Sequence, residues 1–251
     1  MTFHFMMKRL LRILATALTV TAAIFLAAPP ASSRSFNDKL LNRPYADNRA
    51  WNLGFSVGMF SSDLIFTHNG YVSEDGRQWF MEQPSFSPGF SVNGLLALRL
   101  SNHFSVRFTP GMYFGNREVE MRDALSGDTE KQNIKSAFVV LPIELKFAAQ
   151  RWRNARPYLV GGVMPTFDVA KKRSDDILRF KPFDTYLTIG FGCDFYLPYF
   201  KLIPELKFCF GLADILKKDR PELVEEPAKL DFTRSLDKVK SRMIVLTFYF
   251  E

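Results

Sequence analysis

The chain has 251 residues, 47% hydrophobic and 15% aromatic with 26 Phe, which excludes a disordered segment and leaves room for one sizeable domain or two small ones. Its mean hydropathy of -0.06 is too low for a bundle of membrane helices, each of which needs about 20 consecutive apolar residues. The net charge of +7 does not signal a nucleic-acid partner, because Lys and Arg are mixed with Asp and Glu and no basic stripe or base-stacking motif is present. A membrane β-barrel accounts for both remaining facts: only alternate residues face lipid, so hydropathy averages near zero while aromatic residues crowd the wall.

In chain order, the first segment carries His4, Lys8, Arg9 and Arg12, then an apolar run from Ile13 to Ala28, then small residues through Ser33. This is the pattern of a secretory signal peptide over 1–33, with Ala31-Ser32-Ser33 placing cleavage after Ser33 and Met6 and Met7 as alternative starts. No Cys follows the apolar run, so a lipoprotein is not expected. Residues 34–50 are polar and read as a short periplasmic lead; residues 51–251 read as the barrel.

Period-two alternation starts at Trp51, with Leu53, Phe55, Val57 and Met59 apolar and Asn52, Gly54, Ser56 and Gly58 between them. Helix is excluded there, since each interior Gly costs roughly 1 kcal/mol against Ala. The pattern recurs over Phe90–Leu98 and over Phe104–Met112, which pair as a hairpin across Ser101-Asn102, and again over Ala137–Phe147, where Pro142 predicts a bulge. Pro157–Val169 is a blurred fifth strand, Phe183–Phe195 a clear sixth, Leu202–Phe210 a seventh and Arg242–Phe250 the last. The fold class is all-β, a transmembrane antiparallel up-and-down barrel of about eight strands.

Connections near Ser101, Gln150 and Pro198 are short, whereas Ser61–Ser87, Gly115–Ser136, Ala170–Pro182 and Ala213–Ser241 are long and charged. Such alternation is the outer-membrane arrangement, long loops outside the cell and tight turns in the periplasm. Surface cations would then meet outer-membrane lipid and the phosphates of lipopolysaccharide. A soluble lipocalin-like barrel would hide its apolar side chains instead, but an eight-stranded interior is too narrow to hold half of all strand positions.

The polar phase therefore faces a lumen. Arg107, Glu144, Lys146, Asp194, Glu205 and Lys207 are the expected lumen charge network, with Glu144 offsetting Lys146 and Glu205 offsetting Lys207. Ile244, Leu246, Phe248 and Phe250 form the expected insertion signal on the last strand, with Glu251 added after the terminal aromatic. Trp152, Tyr158, Tyr196, Tyr199 and Phe200 are expected in one aromatic girdle and Tyr113, Phe114, Phe167 and Phe183 in the other. Cys193 and Cys209 fall on neighbouring strands, at different heights and on opposite faces, and are expected as free thiols.

No Ser-His-Asp set, CxxC, HExxH or P-loop is present. Asp63, His68 and Glu74 could be cast as a rim site for lipid chemistry, but a charged surface loop explains them more simply. The expectation is a non-enzyme with no catalytic, cofactor or metal residues and no small-molecule substrate.

The stretches NRPYADNRAWNLGFSVGMF (Asn42–Phe60), FTHNGYVSEDGRQWF (Phe66–Phe80), PSFSPGFSV (Pro84–Val92), RFTPGMYFG (Arg107–Gly115), GGVMPTFDV (Gly161–Val169) and GFGCDFYLPYFKLIPELKFCFGLADILKKD (Gly190–Asp219) resemble the PorT family, outer-membrane proteins of the Bacteroidetes type IX secretion system. The resemblance spans nearly the whole mature chain. It implies a non-enzymatic, accessory role in exporting proteins with a C-terminal sorting domain, such as gingipain-like proteases, alongside other secretion-system proteins. A surface adhesin or structural barrel is the alternative, and a lipid-modifying barrel enzyme a third.

Overall fold

The computed structural model describes residues 41–73, 78–82, 87–123, 129–170, 178–218, 232 and 234–251. The expected signal peptide, its cleavage point and Glu74 lie outside these residues. A short 3-10 turn (Ala46–Asn48) precedes eleven strands: β1 (Trp51–His68), β2 (Trp79–Glu82), β3 (Pro88–Arg99), β4 (Phe104–Phe108), β5 (Gly111–Asp123), β6 (Thr129–Val140), β7 (Ile143–Ala148), β8 (Ala155–Asp168), β9 (Phe183–Tyr196), β10 (Lys201–Gly211) and β11 (Leu236–Phe250).

Every pairing is antiparallel and the order closes on itself. β1 pairs with β11 and β3, β11 with β10, β10 with β9, and β9 with β8. β8 pairs with β6 and β7, which in turn pair with β5 and β4, and both of these pair with β3. The eleven strands make eight spans: β2 and β3 form one along β5, β4 and β5 a second broken at Thr109-Pro110, and β6 and β7 a third broken at Leu141-Pro142.

Pro142 does not create the expected bulge. Phe108 lies opposite Ile143 and Gly111 opposite Val140, so both spans carry two residues between these pairs and none is inserted. The proline removes a ladder bond without shifting the register.

One phase runs from the short turns up to Thr67 on β1 and Lys238 on β11, where the register shifts, and its polarity reverses partway up. Near the short turns, β1 turns Trp51, Leu53, Phe55, Val57 and Met59 outward and exposed, while Ser56 is buried inside. Higher up, Asp63 faces out and Leu64 faces in. β11 matches it: Ile244, Leu246 and Phe248 outward below, Arg242, Lys240 and Lys238 outward above, with Val239 and Leu236 buried inside. Asp63 and Arg242 are register partners joined by an ion pair of 2.6 Å at the changeover.

The upper interior is an apolar core of Leu64, Trp79, Met81, Val119, Met121, Ile134, Leu178, Phe180, Ile215, Leu216, Phe232, Leu236 and Val239. This corrects the loop boundaries expected above. Most of Gly115–Ser136, the two ends of Ser61–Glu82 and the last residues of Ala213–Ser241, from Leu236, are strand, because an outward charge beside an inward apolar residue is how a sheet looks in water. β5 and β6 rise as a ribbon roughly 20 Å beyond Asn116, with Lys131 held by Glu118 at 3.4 Å and Glu120 at 3.6 Å on its wet face. Those two carboxylates, Glu118 through a hydrogen bond first, raise the pKa of the Lys131 ammonium.

Met121→Ala should open a cavity in the apolar cap and destabilise the protein by about 2–5 kcal/mol. Phe248→Ala should cost less, because acyl chains fill the space its ring leaves; urea unfolding in lipid vesicles measures both. A thiol reagent that cannot cross the envelope should label Lys131→Cys in intact cells and Tyr199→Cys only after permeabilisation.

Candidate functional site: the filled lumen

The strand phase aims the charged residues at a common axis. Arg107 on β4 lies opposite Glu144 on β7, and Glu205 and Lys207 on β10 lie opposite Gly192 and Gly190 on β9. Gly192 is required by space: a Cβ there would stand 2.5 Å from the Tyr158 hydroxyl, which donates to Glu205 at 2.6 Å.

Four charges meet at mid-height. Arg107 donates to Glu144 at 3.1 Å and to Glu205 at 2.5 Å, and the Lys207 ammonium bonds Glu144 at 2.6 Å and Glu205 at 3.2 Å. Two cations and two carboxylates leave the cluster neutral, and all four side chains are buried. Tyr249 donates to Glu205 at 3.2 Å, and the Arg107 guanidinium stacks on the rings of Tyr158 and Tyr249, 5.4 and 5.1 Å from their centroids. Nε and Nη1 of Arg107 have no hydrogen-bond partner among the described residues, and ring faces take part of their charge.

A second neutral pair lies nearer the short turns, where Lys146 donates to both Asp194 oxygens at 2.6 and 2.8 Å. A third, Lys201 with Glu251 at 2.6 Å, lies at the mouth. The lead segment crosses this mouth: Arg43 donates to the Glu251 carbonyl at 2.7 Å, Tyr196 donates to Asp47 at 2.5 Å, and Arg156 pairs with Asp47 at 3.2 Å. A cavity of about 50 Å³ at this end and another of about 20 Å³ beside Arg117 have room for a few waters at most.

Glu144 and Lys146 do not offset each other as expected. Along one strand they are roughly 7 Å apart, while the narrow barrel brings Arg107 and Lys207 to Glu144 from across the axis and gives Lys146 to Asp194. Tyr113, Tyr158 and Tyr196 leave the expected girdles: all three are buried inside. Trp152, Tyr199, Phe200, Phe167 and Phe183 stay on the outer surface. Tyr113 and Tyr249 lie on the polar phase of their strands, a readable signal; Asp47 and Arg117 carried none.

Ile244, Leu246 and Phe248 face outward, and Phe250 stacks on Phe55 with centroids 5.2 Å apart. Glu251 is not a loose addition, since its backbone exchanges hydrogen bonds with Lys201 at 2.8 and 3.0 Å. Cys193 and Cys209 are free thiols on opposite faces, Cys209 buried inside. Asp63 is turned out to Arg242, and His68 accepts a bond from the Met81 amide at 2.8 Å, so the two do not converge on a rim site. Among the described residues no group of three or more His, Cys, Asp or Glu side chains gathers as a metal site.

An apolar outer band around a closed ladder and a packed, charge-balanced interior define an outer-membrane β-barrel. The chain belongs to the family of the outer membrane protein beta-barrel domain, whose profile matches residues 34–217, and its place is the cell outer membrane. Similar solved structures include OprG from Pseudomonas aeruginosa (14% identity, 80% of this chain and 92% of that chain, TM-score 0.44). The N-terminal β-barrel domain of Pseudomonas aeruginosa OprF is another (11% identity, 77% and 96%, TM-score 0.35). A third is Ail of Yersinia pestis in complex with the heparin analogue sucrose octasulfate (14% identity, 79% and 96%, TM-score 0.32). No curated protein sequence matches the chain.

Glu205→Ala leaves two buried cations sharing one carboxylate and should destabilise the barrel by about 3–5 kcal/mol in urea unfolding. Leu206→Ala, its outward neighbour, should cost clearly less; the reverse order would mean the two faces are interchanged.

Proposed function

We propose that this barrel is a non-enzymatic, non-conducting accessory component of type IX protein secretion, working through its surfaces on other secretion-system proteins. The observation that carries the non-conducting part is the lumen, closed at mid-height by Arg107, Glu144, Glu205 and Lys207. A folded cargo has no path through such an interior. The assignment to secretion rests on the sequence resemblance from Asn42 to Asp219 described above. Lys238, Lys240 and Arg242, in line above the apolar residues of β11, suit the phosphates of outer-leaflet lipopolysaccharide. A surface adhesin is the second reading, favoured by the charged β5–β6 ribbon.

A deletion strain should retain proteases bearing a C-terminal sorting domain inside the envelope and lose secreted protease activity, with its lipid A mass spectrum unchanged. Normal secretion with lost surface attachment would favour the adhesin, and an altered lipid A spectrum the enzyme. The purified barrel should give no steady conductance in a planar bilayer.

A further inference from the structure

Above the apolar band, outward cations have carboxylates beside them: Lys131 has Glu118 and Glu120, Lys218 and Lys238 have Asp237, and Arg242 has Asp63. The short-turn end is built differently. It gathers Arg43, Arg49, Arg99, Arg151, Arg153 and Arg156, three of them from the single turn RWRNAR over 151–156. Most of their hydrogen bonds go to neutral acceptors. Arg43 donates to the Glu251 carbonyl, Arg99 to the Ser101 carbonyl at 3.3 Å and to the Asn102 side chain, and Arg151 to the carbonyls of Asn42, Arg43 and Arg153. Arg156 donates to the carbonyls of Ala149 and Asn102. A carbonyl fixes a guanidinium in place without cancelling its charge. The carboxylate bonded into this group is Asp47, 3.2 Å from Arg156 and 3.9 Å from Arg151.

These contacts tie the cations into one group. Arg99 and Arg156 share Asn102, Arg156 and Arg151 share Asp47, and the Arg151 Nε takes the Arg153 carbonyl at 2.7 Å, while Arg49 and Arg153 are exposed. The cavity of about 50 Å³ lies among them, lined by Arg99, His103 and Arg156 together with three carboxylates. Those carboxylates are already matched, Asp194 with Lys146, Glu251 with Lys201 and Asp47 with Arg156. Arg99 is left as a cation with no carboxylate bonded to it among the described residues. A space for a few waters is also a space for one carboxylate group.

We propose that the short-turn end is a docking surface for an acidic segment of another protein, several Asp or Glu residues close together, one of whose carboxylates enters the cavity beside Arg99. Guanidiniums take carboxylates through two parallel N–H bonds, and those already held in position lose little freedom on pairing. In outer-membrane barrels the short turns stand in the periplasm, so the acidic segment is a periplasmic one. Phospholipid headgroups match this end less well. They ring the wall at the height of Trp152, Tyr199 and Phe200, whereas Arg43, Arg151 and Arg156 are bonded to the lead segment across the mouth. The chain's own residues 34–40 carry Arg34 and Lys39 against Asp38 and bring no surplus of negative charge, and a second copy presents the same positive end. The inference rests on this charge layout and does not depend on the secretion assignment.

The test uses the purified protein folded in neutral detergent micelles and a fluorescein-labelled oligoglutamate peptide, with binding read by fluorescence anisotropy. Arg49→Gln combined with Arg153→Gln should keep the heat-modifiable folded band and weaken binding about tenfold, and Arg99→Gln alone about threefold. Lys238→Gln combined with Lys240→Gln, at the opposite end, should leave binding unchanged. The exposed pair and Arg99 are separate variants, so misfolding of one leaves the test intact. In living cells, a benzophenone amino acid at Tyr45, exposed on the lead segment, should give a discrete adduct with one protein. Its cross-linked segment should be acidic, and Arg49→Gln with Arg153→Gln should lower the yield. The proposal is overturned by a peptide that does not bind, by binding that the short-turn variants leave unchanged or the far-end lysines weaken equally, by an adduct that maps to a neutral or basic segment or to a second copy, or by adducts with lipid or peptidoglycan in place of protein.

Discussion

From its lowest turn up to Thr67 on β1 and Lys238 on β11 the wall keeps a single side-chain phase, and the surroundings change along it. Because successive side chains point to opposite faces, a strand that leaves lipid for water must exchange its inner and outer chemistry without changing register. β1 does so between Met59 and Leu64, β11 between Ile244 and Val239, and the ion pair of Asp63 with Arg242 lies at the exchange. Below it the barrel is apolar outside and charged within; above it the same sheet is a water-soluble one closed over an apolar core.

That arrangement explains why the lower interior is charge-balanced layer by layer. Charged residues inside cannot be hydrated as they would be at a surface, so each layer must cancel locally. The four-charge cluster, the Lys146 and Asp194 pair and the Lys201 and Glu251 pair each sum to zero. Tyrosines fill the space between layers, lending ring faces to cations and hydroxyls to carboxylates. A barrel packed this way has no open channel along its axis.

The eight spans were legible because period-two alternation at constant phase is a local property, visible in Trp51–Met59 or Phe183–Phe195 without any partner strand. Lumen residues such as Arg107 and Glu205 followed from the same phase. What was not legible was distance across the axis: Glu144 and Lys146 are neighbours in the sequence, yet each is bonded to a residue far along the chain. Strand above the apolar band reads as loop in the sequence because its outward charges, such as Glu118, Lys131 and Lys240, resemble the composition of turns.

The lead segment and the last residue are tied together at the same mouth, Arg43 to the Glu251 carbonyl and Lys201 to the Glu251 side chain. This clasp can fasten only when β11 has zipped against both β1 and β10, for only then does Glu251 arrive beside residues from opposite ends of the chain. It is therefore a report of completed closure, written at the short-turn end of the barrel. A barrel still open at its seam would leave Arg43 untied and the Glu251 carboxylate without its lysine.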